Sequence, residues 1–300
     1  MIKSFDELIE EVKGNPVKKK LAVACANDEH TVEAVLNAEK EGICEPILIG
    51  DMPKMIEVLT ALGETYPEEK MIDEPDMQKA CTKAVELVRE KQADVIMKGK
   101  VDTKIILKEV VKKEGGLGLG RVMSHFSMFE LSTYHKPIVV VDGGMCPYPN
   151  VAQKADIIRN TVETLRKMGY EEPKVGVLAC VEKVNPKMPE TIEADELETI
   201  NADGEIKNCI VEGPIQFDCA FSKEIADIKG LESKIAGDVD VLVGPNIHTS
   251  NILGKALVMA AGAKMAGFIV GAACPIVLVS RSSSTEEKFM SIVVSAAVNN

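Results

Sequence analysis

Short apolar runs rich in β-branched residues recur along this chain, and longer stretches of helical period separate them. The runs are LAVACA (21–26), PILIG (46–50), ADVIMKG (93–99), KPIVVVD (136–142), KVGVLAC (174–180), NCIVEG (208–213), VDVLVG (239–244) and FIVGAACPIVLVS (268–280). Between them lie TVEAVLNAEKEG, MQKACTKAVELVREKQ, VAQKADIIRNTVETLRKMG and SNILGKALVMAAGAK. Strands that are apolar throughout must be covered on both faces. Alternating with helices, they predict an α/β fold of mainly parallel sheets with helices on both sides. A length of 300 residues suits two such domains, or one with an insertion. The glycine-rich EGGLGLGR (114–121) interrupts the alternation and is the expected crossing between domains.

Charge and cysteine usage narrow the function. A net charge of −12 offers no diffuse positive field for nucleic acid or an anionic membrane, so an anionic substrate needs a local basic pocket. The opening MIKSFDELIEEVKGN has the period of an amphipathic surface helix and no apolar signal core. Met265–Val279 is uncharged but too short to span a bilayer, and reads as a helix end plus a buried strand. The eight cysteines contain no CxxC pair and mostly sit in apolar stretches, as expected of reduced thiols in a cytoplasmic protein. Four histidines without HExxH give no metal motif.

In parallel α/β sheets ligands bind beyond the carboxyl ends of strands, so the strand exits are where chemistry is expected. ADVIMKG leads into GKVDTKIIL, placing Lys98 beside a helix start that Asp102 or Thr103 can cap. KPIVVVD leads into GGMCPYPN. There Asp142 ends the strand, Gly143 and Gly144 allow close backbone approach, and Cys146 is either a nucleophile or a bystander thiol. VDVLVG leads into GPNIHTSNILGKAL, which crowds Asn246, His248, Thr249, Ser250 and Asn251 into one turn; Thr249 or Ser250 alone would explain the helix start. Gly254-Lys255 lacks Walker A spacing, and GGLGLGR does not match GxGxxG.

The exit PIVLVSRSSSTEEK carries two signals. Ser284 with Glu287, and Ser283 with Glu286, each fit an S-x-x-E capping box. Arg281, directly after Pro275–Val279 and Ser280, offers a guanidinium fork for phosphate oxygens with Ser280 as a second donor.

Together ADVIMKGxxxT (93–103), GRVMSHFSMFE (120–130), VNPKMPET (184–191), IVEGPIQFDCAFSKEIADIKG (210–230), AGDVDVLVGPNIxxxNILxKAL (236–257) and PIVLVSRxxS (275–284) resemble the phosphate acetyl/butyryl transferase family, most closely its butyryltransferase branch. The resemblance implies an isocitrate/isopropylmalate dehydrogenase-like fold. Its first α/β domain would comprise 1–125 and 267–300, its inserted second domain 126–266, with an active-site cleft between them. It implies acyl-CoA + phosphate ⇌ acyl phosphate + CoA, with coenzyme A and phosphate as substrates, no tightly bound cofactor or metal, and a homodimer or higher homo-oligomer. Carried over by position, Arg281 would bind phosphate, Ser280 would hydrogen-bond the thiol or thiolate, and Glu287 would stand where the acetyltransferase branch has its aspartate base. Lys98, Thr103, Asp142, Asn246, Asn251 and Ser283 would contact substrate.

The chain departs from the family pattern at its exits. Ser283 replaces an aspartate, Leu117-Gly118-Leu119-Gly120 lacks an arginine and a threonine, Asp142 is followed by Cys146 where an asparagine is usual, and His248-Thr249-Ser250-Asn251 replaces a Glu-x-Gly-Asn segment. These departures motivate an alternative, a non-catalytic or repurposed protein that binds acyl-CoA or acyl phosphate. A dehydrogenase of the same fold is a third reading; its carboxylates would be Asp238 and Asp240, but these stand at the start of their strand.

Overall fold

A computed structural model describes residues 2–280 and 283–298. Of these, 6–120 and 266–298 form one compact unit, and 2–5 and 121–265 form another. The first unit opens with α1 (Phe5–Gly14), β1 (Lys19–Ala24), α2 (Glu29–Lys40), β2 (Cys44–Gly50), α3 (Met52–Ala61), β3 (Met71–Asp73), α4 (Met77–Arg89), β4 (Val95–Lys98) and α5 (Thr103–Val110). Each of α2 to α5 starts from an aspartate (Asp28, Asp51, Asp76 and Asp102) whose carboxylate accepts a backbone N–H of the first turn. These caps satisfy donors that the helix cannot and set negative charge against the positive dipole end. β1 is flanked by β2 and β4 in parallel register, Leu21 beside Pro46 and Val95. Leu21 to Ala26 are all buried, which requires cover on both faces, and α4 supplies part of it through Ala80, Ala84 and Val85.

The second unit continues with β5 (Ser124–Glu130), β6 (Ile138–Val141), α6 (Val151–Lys167), β7 (Lys174–Leu178), α7 (Pro189–Ala202), β8 (Ile210–Ile215), the short helices α8 (Phe217–Phe221) and α9 (Lys223–Ile228), β9 (Val241–Val243) and α10 (Ile247–Ala261). Its strand order is β5-β6-β9-β7-β8, parallel except for the β5–β6 pair. Phe129, Ile138, Val140, Leu242, Ile235 and Leu257 anchor one core cluster. Burying each such side chain contributes about 1.5–3 kcal/mol. At the entry to β9, buried Lys136 lies 2.7 Å from Asp240 and 2.8 Å from Asp238, which also meets His135 at 2.9 Å and Lys174. These aspartates tie strand starts together, away from the strand exits.

The chain then returns to the first unit through β10 (Lys264–Val270), β11 (Ile276–Val277) and α11 (Thr285–Ala296). The first unit's order is β3-β2-β1-β4-β11-β10. Residues 265–279 differ from the expected helix end and single strand. α10 stops at Ala261 because Gly262 takes the left-handed conformation, φ 68, that closes a helix without a Cβ penalty. The apolar run of 268–280 is two strands, since β10 pairs antiparallel with β11 at Ile269 and Ile276. β3 and β5 carry no matching run in the sequence. β3 has three residues, and the apolar pattern of β5 is broken by Ser124, His125 and Ser127.

Candidate functional site

Three strand exits of the first unit stand side by side. β4 pairs parallel with β1 (Ala24 with Lys98) and with β11 (Met97 with Val277), so Cys25, Lys98-Gly99 and Val279-Ser280 emerge at one carboxyl edge. The exits are packed closely: a Cβ on Gly99 would stand 2.2 Å from the Cys25 carbonyl oxygen. Only glycine fits there. Lys98 is buried and its Nζ donates to the Gly99 and Val101 carbonyls at 3.2 and 3.4 Å. Asp102, not Thr103, is the N-cap; Thr103 is the first helical residue and is exposed.

Ser280 is exposed, and its carbonyl accepts the Ser283 N–H at 3.1 Å just before α11. Arg281, the expected phosphate ligand, lies outside the described residues. Ser284 is the N-cap of α11, its hydroxyl accepting the Glu287 N–H at 3.1 Å. The second expected box, Ser283 with Glu286, is thereby displaced. The Ser284–Glu287 box is half formed, because the Glu287 carboxylate turns to the Ser283 hydroxyl, which donates to its Oε1 at 2.6 Å. Where the family pattern has an aspartate, this chain has a serine that holds a glutamate one helical turn on.

A second group of exits lies in the other unit. β6 and β9 pair in parallel, Val141 with Val243, so Asp142 and Gly244 leave the sheet together. The buried Asp142 carboxylate accepts three backbone N–H bonds, from Gly144, Met145 and Cys146, at 2.8, 2.9 and 3.0 Å. Asn251 Nδ2 donates to the Gly143 carbonyl at 2.9 Å, and Ser250 Oγ to the Val141 carbonyl at 3.0 Å. Asn246 caps α10, accepting the Thr249 N–H at 3.1 Å, so Thr249 and Ser250 are not the cap. Asp142 and Asn251 thus frame one glycine turn, while Asn246 serves as the cap of the helix that carries Asn251. Hydrogen bonds to a charged partner contribute about 1.5–3 kcal/mol each. Asp142→Ala is therefore expected to lower stability by about 3 kcal/mol and Asp142→Asn by less, read as urea midpoints; an unchanged midpoint for Asp142→Ala would show that these three bonds do not hold the turn.

Two residues escaped the sequence reading. His125 packs over Gly144, where an added Cβ would sit 3.1 Å from the ring, and its Nδ1 is 2.9 Å from Ser127 Oγ. Burial pushes its imidazole below the usual value, and the charge of Asp142 only partly offsets this. Its signal was present in the Ser-His segment, but not as a strand. Lys288 is buried in α11, where a lysine after two glutamates reads as solvated. Cys146 behaves as a bystander: burial, reinforced by Asp142, pushes its thiol up to about 12. Elsewhere in the second unit a cavity of about 360 Å³ is lined by five carboxylates, Glu182, Asp195, Glu198, Glu212 and Glu232, against a single lysine, Lys183. Five carboxylates repel phosphate, so this cavity is not where an anionic substrate binds. Among the described residues there is no cluster of three or more His, Cys, Asp or Glu suited to a metal, and no helix long and apolar enough to cross a membrane.

This architecture is that of α/β enzymes that bind ligands at the carboxyl edge of a mostly parallel sheet. More narrowly, the chain belongs to the phosphate acetyl/butyryl transferase family, whose model, described as "Phosphate acetyl/butaryl transferase", matches residues 69–296. It is 41% identical over 298 residues to a phosphate butyryltransferase of Clostridium acetobutylicum, covering 99% of each chain. It is 42% identical over 292 residues to a phosphate acetyltransferase of Thermotoga maritima, covering 97% of this chain and 98% of that one. The crystal structure of a branched-chain phosphotransacylase from Enterococcus faecalis V583 superposes with a TM-score of 0.82 at 32% identity, over 93% of this chain and 98% of that one. A 4-hydroxythreonine-4-phosphate dehydrogenase from Burkholderia phymatum shares the fold alone, with a TM-score of 0.57 at 15% identity over 94% of this chain and 98% of that one.

Proposed function

We propose that the protein is a phosphate acyltransferase that interconverts a short-chain acyl-CoA and phosphate with acyl phosphate and CoA. The observation that carries this reading is similarity along nearly the whole chain to relatives bearing both the butyryltransferase and the acetyltransferase name. The two identities are nearly equal, so they favour neither chain length. In the acyl-phosphate-consuming direction the CoA thiol must lose a proton before it attacks the acyl carbonyl, and phosphate must be held as it leaves. In our reading Arg281 binds that phosphate, Ser280 hydrogen-bonds the thiol or thiolate, and Glu287, held by Ser283, is the carboxylate available as base. Lys98, Thr103 and Ser283 contact substrate directly. Asp142 and Asn251 contribute through the glycine turn they frame, and Asn246 through the start of α10, which it caps. Coenzyme A and phosphate act as substrates rather than resident cofactors, the protein works in the cytoplasm as a homodimer or larger homo-oligomer, and its domains are 1–125 with 267–300, and 126–266.

Purified protein should release CoA from a panel of acetyl-, propionyl-, butyryl- and valeryl-CoA only when phosphate is present, followed with a thiol reagent. Absence of release across the panel, together with thermal stabilisation by acyl-CoA, would favour the non-catalytic binding protein instead.

A further inference from the structure

Lys288 occupies an unfavourable place for a cation. It lies in the first two turns of α11, near the positive end of the helix dipole, and is only 4% exposed. Two other buried lysines are compensated by carboxylates: Lys136 pairs with Asp240 at 2.7 Å, and Lys154 pairs with Glu193. Lys288 has no carboxylate at ion-pair distance among the described residues, and its Nζ donates to one group, the Ser283 carbonyl oxygen, at 2.7 Å. The neighbouring carboxylates are engaged elsewhere, Glu287 with the Ser283 hydroxyl and Glu33 with the Thr285 hydroxyl at 3.0 Å. A buried charge without a counter-ion costs several kcal/mol unless something offsets it. The residue that accepts from it, Ser283, donates its own N–H to the Ser280 carbonyl at 3.1 Å.

We propose that Lys288 is a positioning residue for phosphate: its ammonium pins the Ser283 carbonyl, holds Ser283 in its hydrogen bond to Ser280, and sets beside Ser283 a positive charge, without a carboxylate partner among the described residues, for the substrate's phosphate to complete. The inference rests on the reading of the Ser280-Arg281 exit as the phosphate site. It adds a cation absent from the Ser-Arg motif, and it couples Ser283 to the helix that carries Glu287.

The test compares wild type, Lys288→Met and Lys288→Arg, varying phosphate and acyl-CoA separately. Lys288→Met should raise KM for phosphate at least tenfold while KM for acyl-CoA moves less than twofold; Lys288→Arg should recover most of the phosphate affinity. A merely structural role would lower the active fraction and leave both KM values unchanged, which overturns the proposal. Thermal shift with inorganic phosphate separates this inference from the activity reading. If wild type has no turnover but phosphate raises its Tm and not that of Lys288→Met, the acyltransferase reading fails and Lys288 keeps its role. Equal shifts in both proteins overturn the role. Should Lys288→Met fail to fold, Lys288→Arg decides alone: a phosphate KM within threefold of wild type supports the proposal, and equal rises in both KM values refute it.

Discussion

Arg281→Ala is expected to lower kcat/KM for phosphate-dependent CoA release by ~10²–10³-fold, or ~3–4 kcal/mol, the usual effect of losing one preorganised donor to a developing oxyanion. The phosphoryl oxygens gain charge as the acyl–phosphate bond breaks, and a bidentate guanidinium matches them in geometry and charge. Arg281→Lys keeps the charge and loses the fork, so it should fall between wild type and Arg281→Ala. The neighbouring cations sharpen the expectation. Lys98 ends the strand paired with β11 and Lys288 donates to the Ser283 carbonyl, so the Arg281 variants keep positive charge nearby without a fork. An Arg281→Ala protein that kept a tenth or more of wild-type kcat/KM would move the phosphate site away from this loop.

The largest expected effect on stability is at the opposite end of a strand. Lys136→Met removes the only cation paired with Asp240 among the described residues, and both side chains are 2% exposed. Removing one partner leaves a buried carboxylate uncompensated, which costs about 3–5 kcal/mol. Chemical denaturation at pH 7 reads this directly, and a change below 1 kcal/mol would refute it. Acid adds a second signature. Burial pushes the Asp238 carboxyl up, but hydrogen bonds from Lys136, Lys174 and His135 more than reverse this and hold it well below its usual value of 3.8. A depressed carboxylate contributes stability above its unfolded pKa and loses it as pH falls through the folded value. Wild type should therefore lose stability more steeply than Lys136→Met below about pH 4.

The sequence carried the framework because long apolar runs bear a strong signal. The runs ADVIMKG, KPIVVVD and VDVLVG all contain strands with a parallel neighbour, and their exits are where Lys98, Asp142 and Asn246 stand. Legibility fell where polar residues serve long-range partners. Ser124, His125 and Ser127 disguise β5, since they break the continuous apolar run by which the other buried strands are read, and His125 and Ser127 are satisfied by a hydrogen bond to each other. Antiparallel pairing of β10 with β11 depends on Gly271, whose φ of 90 reverses a chain that reads as one apolar run. At the opening of α11 the S-x-x-E pattern occurs twice, and local spacing cannot choose between two registers. The choice follows from Glu287 meeting the Ser283 hydroxyl and Lys288 meeting the Ser283 carbonyl, contacts that exist only once the turn is folded.

The pairing of β11 with β4 joins Ile276 to Ile96, with the whole inserted unit between them in sequence. During synthesis the first 120 residues leave the ribosome with their sheet incomplete, and the edge of β4 has no partner until the last segment emerges. The second unit, encoded without interruption by 121–265, has all its strands in hand well before then. Domains fold as units while the chain is made, and non-local pairings close late. Vectorial synthesis therefore favours completing the inserted unit first. The serine turn and Lys288 take their places only at the end of translation, so truncation near the C-terminus removes the proposed phosphate loop before it touches the inserted unit.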